Sequence, residues 1–159
     1  MEHQFTLLFH FFGFGLLVTI SVAGVILNNQ YKKAQDFQTK AIILKSLRPI
    51  GLLTPIAILL MLITGIGNMH NIGLGILDAG WLTAKIIFFA IVAISGILFG
   101  VISRKRGKLV QQLAGGNADA EATRQLQGYD KQIDLFYIVM PILLIIIVWL
   151  SIYGKLGGQ

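Results

Sequence analysis

The sequence predicts an all-α fold, a polytopic membrane four-helix bundle. The first observation is a set of four apolar runs, at about residues 5–29, 50–70, 81–103 and 132–153. Each has about 20 or more residues, and a helix that rises 1.5 Å per residue needs about that many to cross a ~30 Å hydrocarbon layer. The second is the composition, which is 55% hydrophobic and 13% charged. Because a bilayer offers no water to backbone amides, such runs cross it as helices.

The first span begins almost at the N-terminus, and the polar segment after it has helical spacing. The apolar residues between positions 30 and 47 lie three or four apart: Ala34, Phe37, Ala41 and Leu44. This pattern predicts either that helix one continues out of the membrane or that a short amphipathic helix lies on its surface. Pro49 then has the position typical of a first helical residue, which predicts that helix two starts there.

The last long connection, residues 104–131, separates spans three and four. Gly115 interrupts the helical pattern, and Asn117 is suited to cap a helix over residues 118–126. This helix is expected to lead into span four, where Pro141 predicts a kink.

The distribution of charge predicts the orientation. Eleven of the 13 lysines and arginines lie in the connections that follow spans one and three, whereas the connection over residues 71–80 carries Asp78. The positive-inside rule places the basic connections in the cytoplasm and both termini outside. Topology therefore explains the net charge of +6 without a nucleic acid partner. Besides the bilayer itself, anionic lipid head groups at the cytoplasmic loops are the expected partners.

The chain of 159 residues is predicted to be a single transmembrane domain, residues 1–159, because its connections are too short for a soluble domain. The sequence has no cysteine, which excludes disulfides, cysteine-ligated iron–sulfur clusters and thiolate zinc sites. It shows no nucleophile–base pair, phosphate loop or H-E-x-x-H zinc motif. Whether the protein is an enzyme is left open by these patterns.

Ionisable residues inside membrane spans are costly, so each marks a candidate site. With the N-terminus outside, His10 lies about five residues below the outer surface, His70 ends span two at that surface, and Trp81 and Lys85 open span three there. The sequence therefore predicts that three helices bring His10, His70 and Lys85 to a similar depth on one side of the membrane.

This cluster suggests a haem site, because imidazole is a common axial ligand of haem iron and facing helices of a bundle build such sites. His10 is the predicted axial ligand, and His70 is the candidate second metal ligand. Lys85 is the candidate partner of a haem propionate or of an anionic substrate, or a weak alternative ligand. Trp81 is included among the cofactor-binding candidates. With three histidines in the chain, at most one haem has two histidine ligands.

Each candidate also has a purely structural interpretation. His10 fits a hydrogen bond to a neighbouring helix, His70 a solvated position at the interface, and Lys85 a side chain that extends toward the head groups. Trp81 fits an aromatic belt at the membrane surface. Asp134, at the inner end of span four and close to Lys131, predicts a surface ion pair or a charge at the start of the helix.

Two short motifs carry a family resemblance. The first span contains LLFH, which ends at His10, and the third opens with GWLTAK, which ends at Lys85 and is followed by RKR at residues 104–106. The chain thereby resembles the superfamily of small bacterial four-helix membrane proteins that includes the copper-resistance protein D domain and the HemJ-type protoporphyrinogen oxidase. The resemblance implies a bundle in the bacterial cytoplasmic membrane, association with haem, and His10 and Lys85 as matching positions. Thr83, where the oxidase group tends to have histidine, indicates another branch.

Two functions from different classes follow as expectations. The first is a small integral membrane protein that binds one haem b near the outer face, for electron transfer or haem handling. The alternative is a non-catalytic accessory subunit or assembly factor of a larger membrane complex, which the small size and glycine-rich helix faces fit. A homo-oligomer is a further predicted assembly.

Overall fold

Four long α-helices make up the fold. A computed structural model describes residues 2–116 and 119–157 of the chain. The helices are α1 (Glu2–Lys33), α2 (Phe37–Ile72), α3 (Gly80–Ala114) and α4 (Ala120–Lys155). All four are long and apolar enough to cross a membrane, and each predicted span lies within one helix. The prediction of an all-α membrane four-helix bundle is confirmed.

The helices run antiparallel to their neighbours around a ring. The closest packing is between α1 and α2 and between α3 and α4, with α2 against α3, while α1 and α4 make the least contact. The α1–α2 and α3–α4 connections lie at one end, here called the basic end because it holds most of the lysines and arginines. The other end, here called the terminal end, holds the starts of α1 and α3 and the ends of α2 and α4.

The helices are longer than a bilayer is thick, and the excess lies at the basic end. Their 32 to 36 residues correspond to about 50 Å, against a ~30 Å hydrocarbon core. Beyond the apolar spans, the helix ends form a collar with its own small core. The buried members of this core are Tyr31, Val110, Leu113 and Leu126, with Phe37, Ala41 and Leu44 packed against them.

The start of α2 corrects two expectations. Helix α1 continues past the predicted span to Lys33, and Ala34 lies in the connection that follows. The other three apolar positions, Phe37, Ala41 and Leu44, belong to the start of α2 rather than to an extension of helix one or a separate surface helix. Asp36 starts this helix, because its carboxylate accepts hydrogen bonds from the Thr39 backbone N–H at 2.7 Å and from the Thr39 hydroxyl at 2.8 Å. These bonds hold the pKa of Asp36 below its ordinary value. Pro49 therefore lies inside α2, and the prediction that it starts the helix is wrong.

Helix α4 also begins with an aspartate cap. Asp119 accepts a hydrogen bond from the Glu121 backbone N–H at 3.0 Å, and the helix continues without a break through Pro141. The predicted cap, Asn117, lies outside the described residues. The expected helix over 118–126 is thus described from Ala120 as the first turns of α4.

Close packing between α1 and α4 depends on a glycine. The ring of Tyr137 lies so near Gly24 that a Cβ at this glycine would be 2.5 Å from Tyr137 Cε1. Tyr137 has little room to retreat, since its ring contacts Phe99 and Phe136 with centroid separations of 5.3 and 5.7 Å. The contact between Gly24 of α1 and Tyr137 of α4, here called the seam, therefore leaves room only for a hydrogen atom at position 24.

We expect Gly24→Ala to destabilise the bundle by about 1–3 kcal/mol, because the methyl group overpacks the seam. Gly15 is the matched control on the same helix, since a Cβ there meets nothing within 4 Å. Thermal denaturation in mild detergent, followed by loss of the monodisperse species, compares the two variants. Equal midpoints for Gly24→Ala and Gly15→Ala would contradict the tight seam.

Candidate functional site

A hydrogen-bonded histidine lies between α1 and α2 at the terminal end. His10 Nδ1 is 2.9 Å from Thr64 Oγ1, and Thr64 Oγ1 is 2.6 Å from the Leu60 carbonyl oxygen. The threonine hydroxyl has one proton, and it donates this proton to the Leu60 carbonyl. Its oxygen must then accept from His10, so the imidazole carries its proton on Nδ1. In this tautomer His10 Nε2 has the lone pair that a metal or a proton donor requires.

Lys85 of α3 belongs to the same region. It is half-buried and lies close enough to His10 for its charge to act on the imidazole. The charge of Lys85 thus reaches His10, although their helices are diagonal to each other in the ring. A positive charge beside an imidazole lone pair favours an anionic or electron-rich ligand over a simple cation.

Small and polar residues of α2 line the space around His10. Gly65 follows Thr64, and a Cβ there would lie 3.6 Å from His10 Cε1, while one at Gly67 would lie 3.0 Å from Thr6 Cγ2. Asn68 is one turn beyond Thr64 on the same helix face. Its side-chain oxygen is buried and has no hydrogen-bond partner among the described residues. An unpartnered buried acceptor is costly, and it marks this face as a place for a donor group.

His70 and Trp81 occupy different surroundings. His70 is exposed in the last turn of α2, where its carbonyl accepts a hydrogen bond from the Gly73 backbone N–H at 3.1 Å. Trp81 is half-buried against α4, so close that a Cβ at Gly154 would be 2.5 Å from the indole. The contacts place Trp81 as a packing residue between α3 and α4. Cofactor binding by His70 and Trp81 stays a prediction.

A second polar cluster, at the basic end, centres on Arg106 of α3. This side chain is 2% exposed. Its Nε donates to Asp130 Oδ1 at 2.7 Å, and its Nη2 donates to Asn28 Oδ1 at 3.0 Å. The guanidinium also stacks on the ring of Tyr31, 3.7 Å from the centroid. Arg106 thereby connects α1, α3 and α4, and its charge is paired, hydrogen-bonded and stacked as buried arginines require.

The same cluster extends to Asp134. Asn28 Nδ2 donates to Asp134 Oδ1 and Lys32 Nζ donates to Asp134 Oδ2, both at 2.8 Å. Lys32 and Asp134 are partly exposed, which agrees with the surface ion pair expected for Asp134. The pair joins α1 to α4 at the basic end, beyond the contact between Gly24 and Tyr137. The Tyr31 hydroxyl is buried and has no hydrogen-bond partner among the described residues. The other groups of the cluster bond one another and hold α1, α3 and α4 together.

Sequence reasoning missed Arg106, because this residue was counted with its neighbours among the positive charges that set the orientation in the membrane. A signal was present, because Arg106, Val110 and Leu113 are spaced as one helix face and all three are buried. Sequence reasoning also assigned no role to Thr64 and Asn68, whose spacing places them on the face of α2 toward His10.

Comparison with known proteins adds no assignment: no family model, no curated protein and no solved structure matches this chain. Among the described residues, no group of three or more His, Asp or Glu side chains is placed to hold a metal ion.

Proposed function

We propose that this four-helix membrane protein binds one haem b at the terminal end, with His10 as the axial ligand through Nε2. The observation that carries the proposal is the chain of hydrogen bonds from His10 through Thr64 to the Leu60 carbonyl. Histidines that bind metals donate their other ring N–H to a fixed acceptor, which sets the tautomer and the ring orientation. His10 has this second bond already in place.

The neighbouring residues supply the other requirements of the site. Haem supplies one-electron redox chemistry at its iron. Lys85 provides a positive charge near His10 that would pair with a propionate carboxylate. Asn68 places a side-chain amide one turn from Thr64.

The proposal gives the iron one protein ligand. His70 lies six residues beyond Thr64 on α2, which is about 9 Å along the helix and about 120° around it. The two histidines are thus on different faces of the pair formed by α1 and α2. With His10 as its one protein ligand, a bound haem iron would be able to take a further ligand, which favours haem handling over pure electron transfer.

The experiment that tests this proposal is a titration of the haem-free protein with haemin in mild detergent, comparing wild type with Thr64→Val. The change keeps the shape of the side chain but removes the acceptor of the His10 Nδ1–H. We expect binding of one haem by the wild type and a 10- to 100-fold weaker affinity in the variant. Thr54→Val, ten residues away on the same helix, is the control. Equal affinities of wild type and Thr64→Val would contradict the role of His10.

We also propose that the protein lies in the bacterial cytoplasmic membrane with both termini outside, on the strength of the basic end and the positive-inside rule. Because the sequence has no cysteine, a single introduced cysteine is the one thiol that a reagent can label. A membrane-impermeant thiol reagent should label Leu77→Cys, which is 82% exposed in the α2–α3 connection, in intact cells. Gln112→Cys, exposed at the basic end, should react only after the cells are opened. The reverse pattern would overturn this orientation.

A second candidate function is an accessory subunit or assembly factor of a larger membrane complex. The features that favour it are the small size of the chain and its 18 glycines, several of which lie on the helices. Isolation from native membranes in mild detergent would support this function if larger partners co-purify in fixed ratio without haem.

A further inference from the structure

An apolar groove lies between α1 and α4, the two neighbouring helices with the least mutual contact. Its volume is about 380 Å³ and it opens sideways, toward the surrounding membrane. The side chains that form its walls include Val18, Val22 and Ile26 of α1 and Pro141, Ile145 and Val148 of α4. The groove runs beside α1 from Phe14 to Ile26, which corresponds to about 18 Å.

The dimensions of the groove determine what kind of group fits in it. A helix segment of this length with a diameter of about 10 Å occupies on the order of 1,400 Å³, several times the volume of the groove. A second copy of the chain therefore cannot insert a helix here. One leaflet contributes about 15 Å of hydrocarbon, half of the ~30 Å core. The length and the narrow, apolar walls match a single acyl chain.

The basic end of the groove is positively charged. On α1, Lys33 follows Ile26 by seven residues, and on α4, Lys131 precedes Ile145 by fourteen, so each lysine lies on the helix face that lines the groove. Both lysines are exposed. Their neighbour Lys32 is held by Asp134 at 2.8 Å. Lys33 lies about 10 Å along α1 beyond Ile26, and Lys131 lies about 15 Å along α4 before Pro141, so two further positive charges follow the groove toward the basic end.

We propose that this groove is a binding site for one anionic phospholipid of the bilayer, with an acyl chain between α1 and α4 and its phosphate between Lys33 and Lys131. Apolar walls hold the chain without regard to the head group, and the lysines select a negative one. The bound lipid completes the contact between α1 and α4 where the helices themselves leave a gap. This inference is independent of the haem site, which lies between α1 and α2.

The test uses the full chain, stripped of lipid in a non-ionic detergent and examined by native mass spectrometry. Phosphatidylglycerol and phosphatidylcholine with the same acyl chains are the probes. We expect one phosphatidylglycerol to be retained in preference to phosphatidylcholine by about 30-fold, since each lysine near the surface favours an anionic lipid about 5-fold. Equal retention of the two lipids by the wild type would overturn the proposal.

Two variants separate the parts of the site. Val22→Trp fills the groove and should abolish retention of both lipids, whereas Ile97→Trp, at a position 68% exposed on α3, should not. The double variant Lys33→Gln and Lys131→Gln should keep a bound lipid but lose the preference for phosphatidylglycerol. The matched control, Lys105→Gln with Lys108→Gln on α3, should keep it. Unchanged binding in Val22→Trp would overturn the assignment.

If a lipid occupies the groove, a second copy of the chain does not. Val22→Cys introduces a single thiol at the mouth of the groove, in a chain without other cysteines. Under mild oxidation we expect it to remain monomeric at low protein-to-lipid ratio. Rapid formation of a disulfide-linked dimer at that ratio would show a protein in the groove and contradict the lipid assignment.

Discussion

Replacement of Arg106 by methionine is expected to destabilise the bundle by about 3 kcal/mol. The guanidinium is 2% exposed and bonds Asp130 and Asn28 while it stacks on Tyr31. Removal of one member of a buried ion pair leaves the other charge uncompensated, which costs about 3–5 kcal/mol. We take the lower end because the Asp130 side chain is 31% exposed and gains some water. Thermal denaturation in mild detergent measures the change.

Lys105→Met is the matched control for this variant. It removes the same charge from the neighbouring residue, which is exposed. If Arg106→Met and Lys105→Met had equal midpoints, the buried network would contribute nothing to stability. A double variant, Arg106→Met with Asp130→Leu, is expected to recover part of the loss, because apolar residues of similar volume can replace a buried ion pair.

Replacement of His10 by alanine is expected to remove nearly all bound haem. In the proposed site His10 supplies the protein ligand to the iron, and Thr64, Lys85 and Asn68 only support it. His70→Ala should keep its haem, because His70 is exposed at the end of α2 and on another face. The haem-to-protein ratio of each purified, monodisperse variant gives the result. Equal loss in both variants would favour ligation by two histidines, and full occupancy in His10→Ala would exclude the assignment.

The sequence was sufficient for the fold because membrane spans are specified by length and apolarity alone. The limits of the helices were harder to predict. Pro49 suggested a helix start, but the cap at Asp36 lies thirteen residues earlier and is marked by a threonine three positions later. A proline is tolerated within a helix when packing on other helices compensates the lost hydrogen bond, so its position alone did not identify the end.

The sequence predicted how deep the candidate residues lie in the membrane, but not which face of each helix packs inside the bundle. Distance from the helix ends placed His10 and Lys85 at one level, and the charge of Lys85 reaches the His10 imidazole. The face that each helix turns inward depends on packing against its neighbours, which no single span encodes. Hence Thr64 could not be identified as the partner of His10, and Arg106 could not be told from Arg104 and Lys105 by charge alone.

The visible absorption spectrum of the wild-type protein is the measurement that tests the haem proposal most directly. The protein would be expressed with ample haem supply, purified in mild detergent, and recorded oxidised and then reduced with dithionite. The single-histidine site predicts a Soret band that shifts on reduction, without the sharp α and β bands of a haem with two histidine ligands. A featureless spectrum from a monodisperse preparation would contradict haem binding and direct attention to partner proteins.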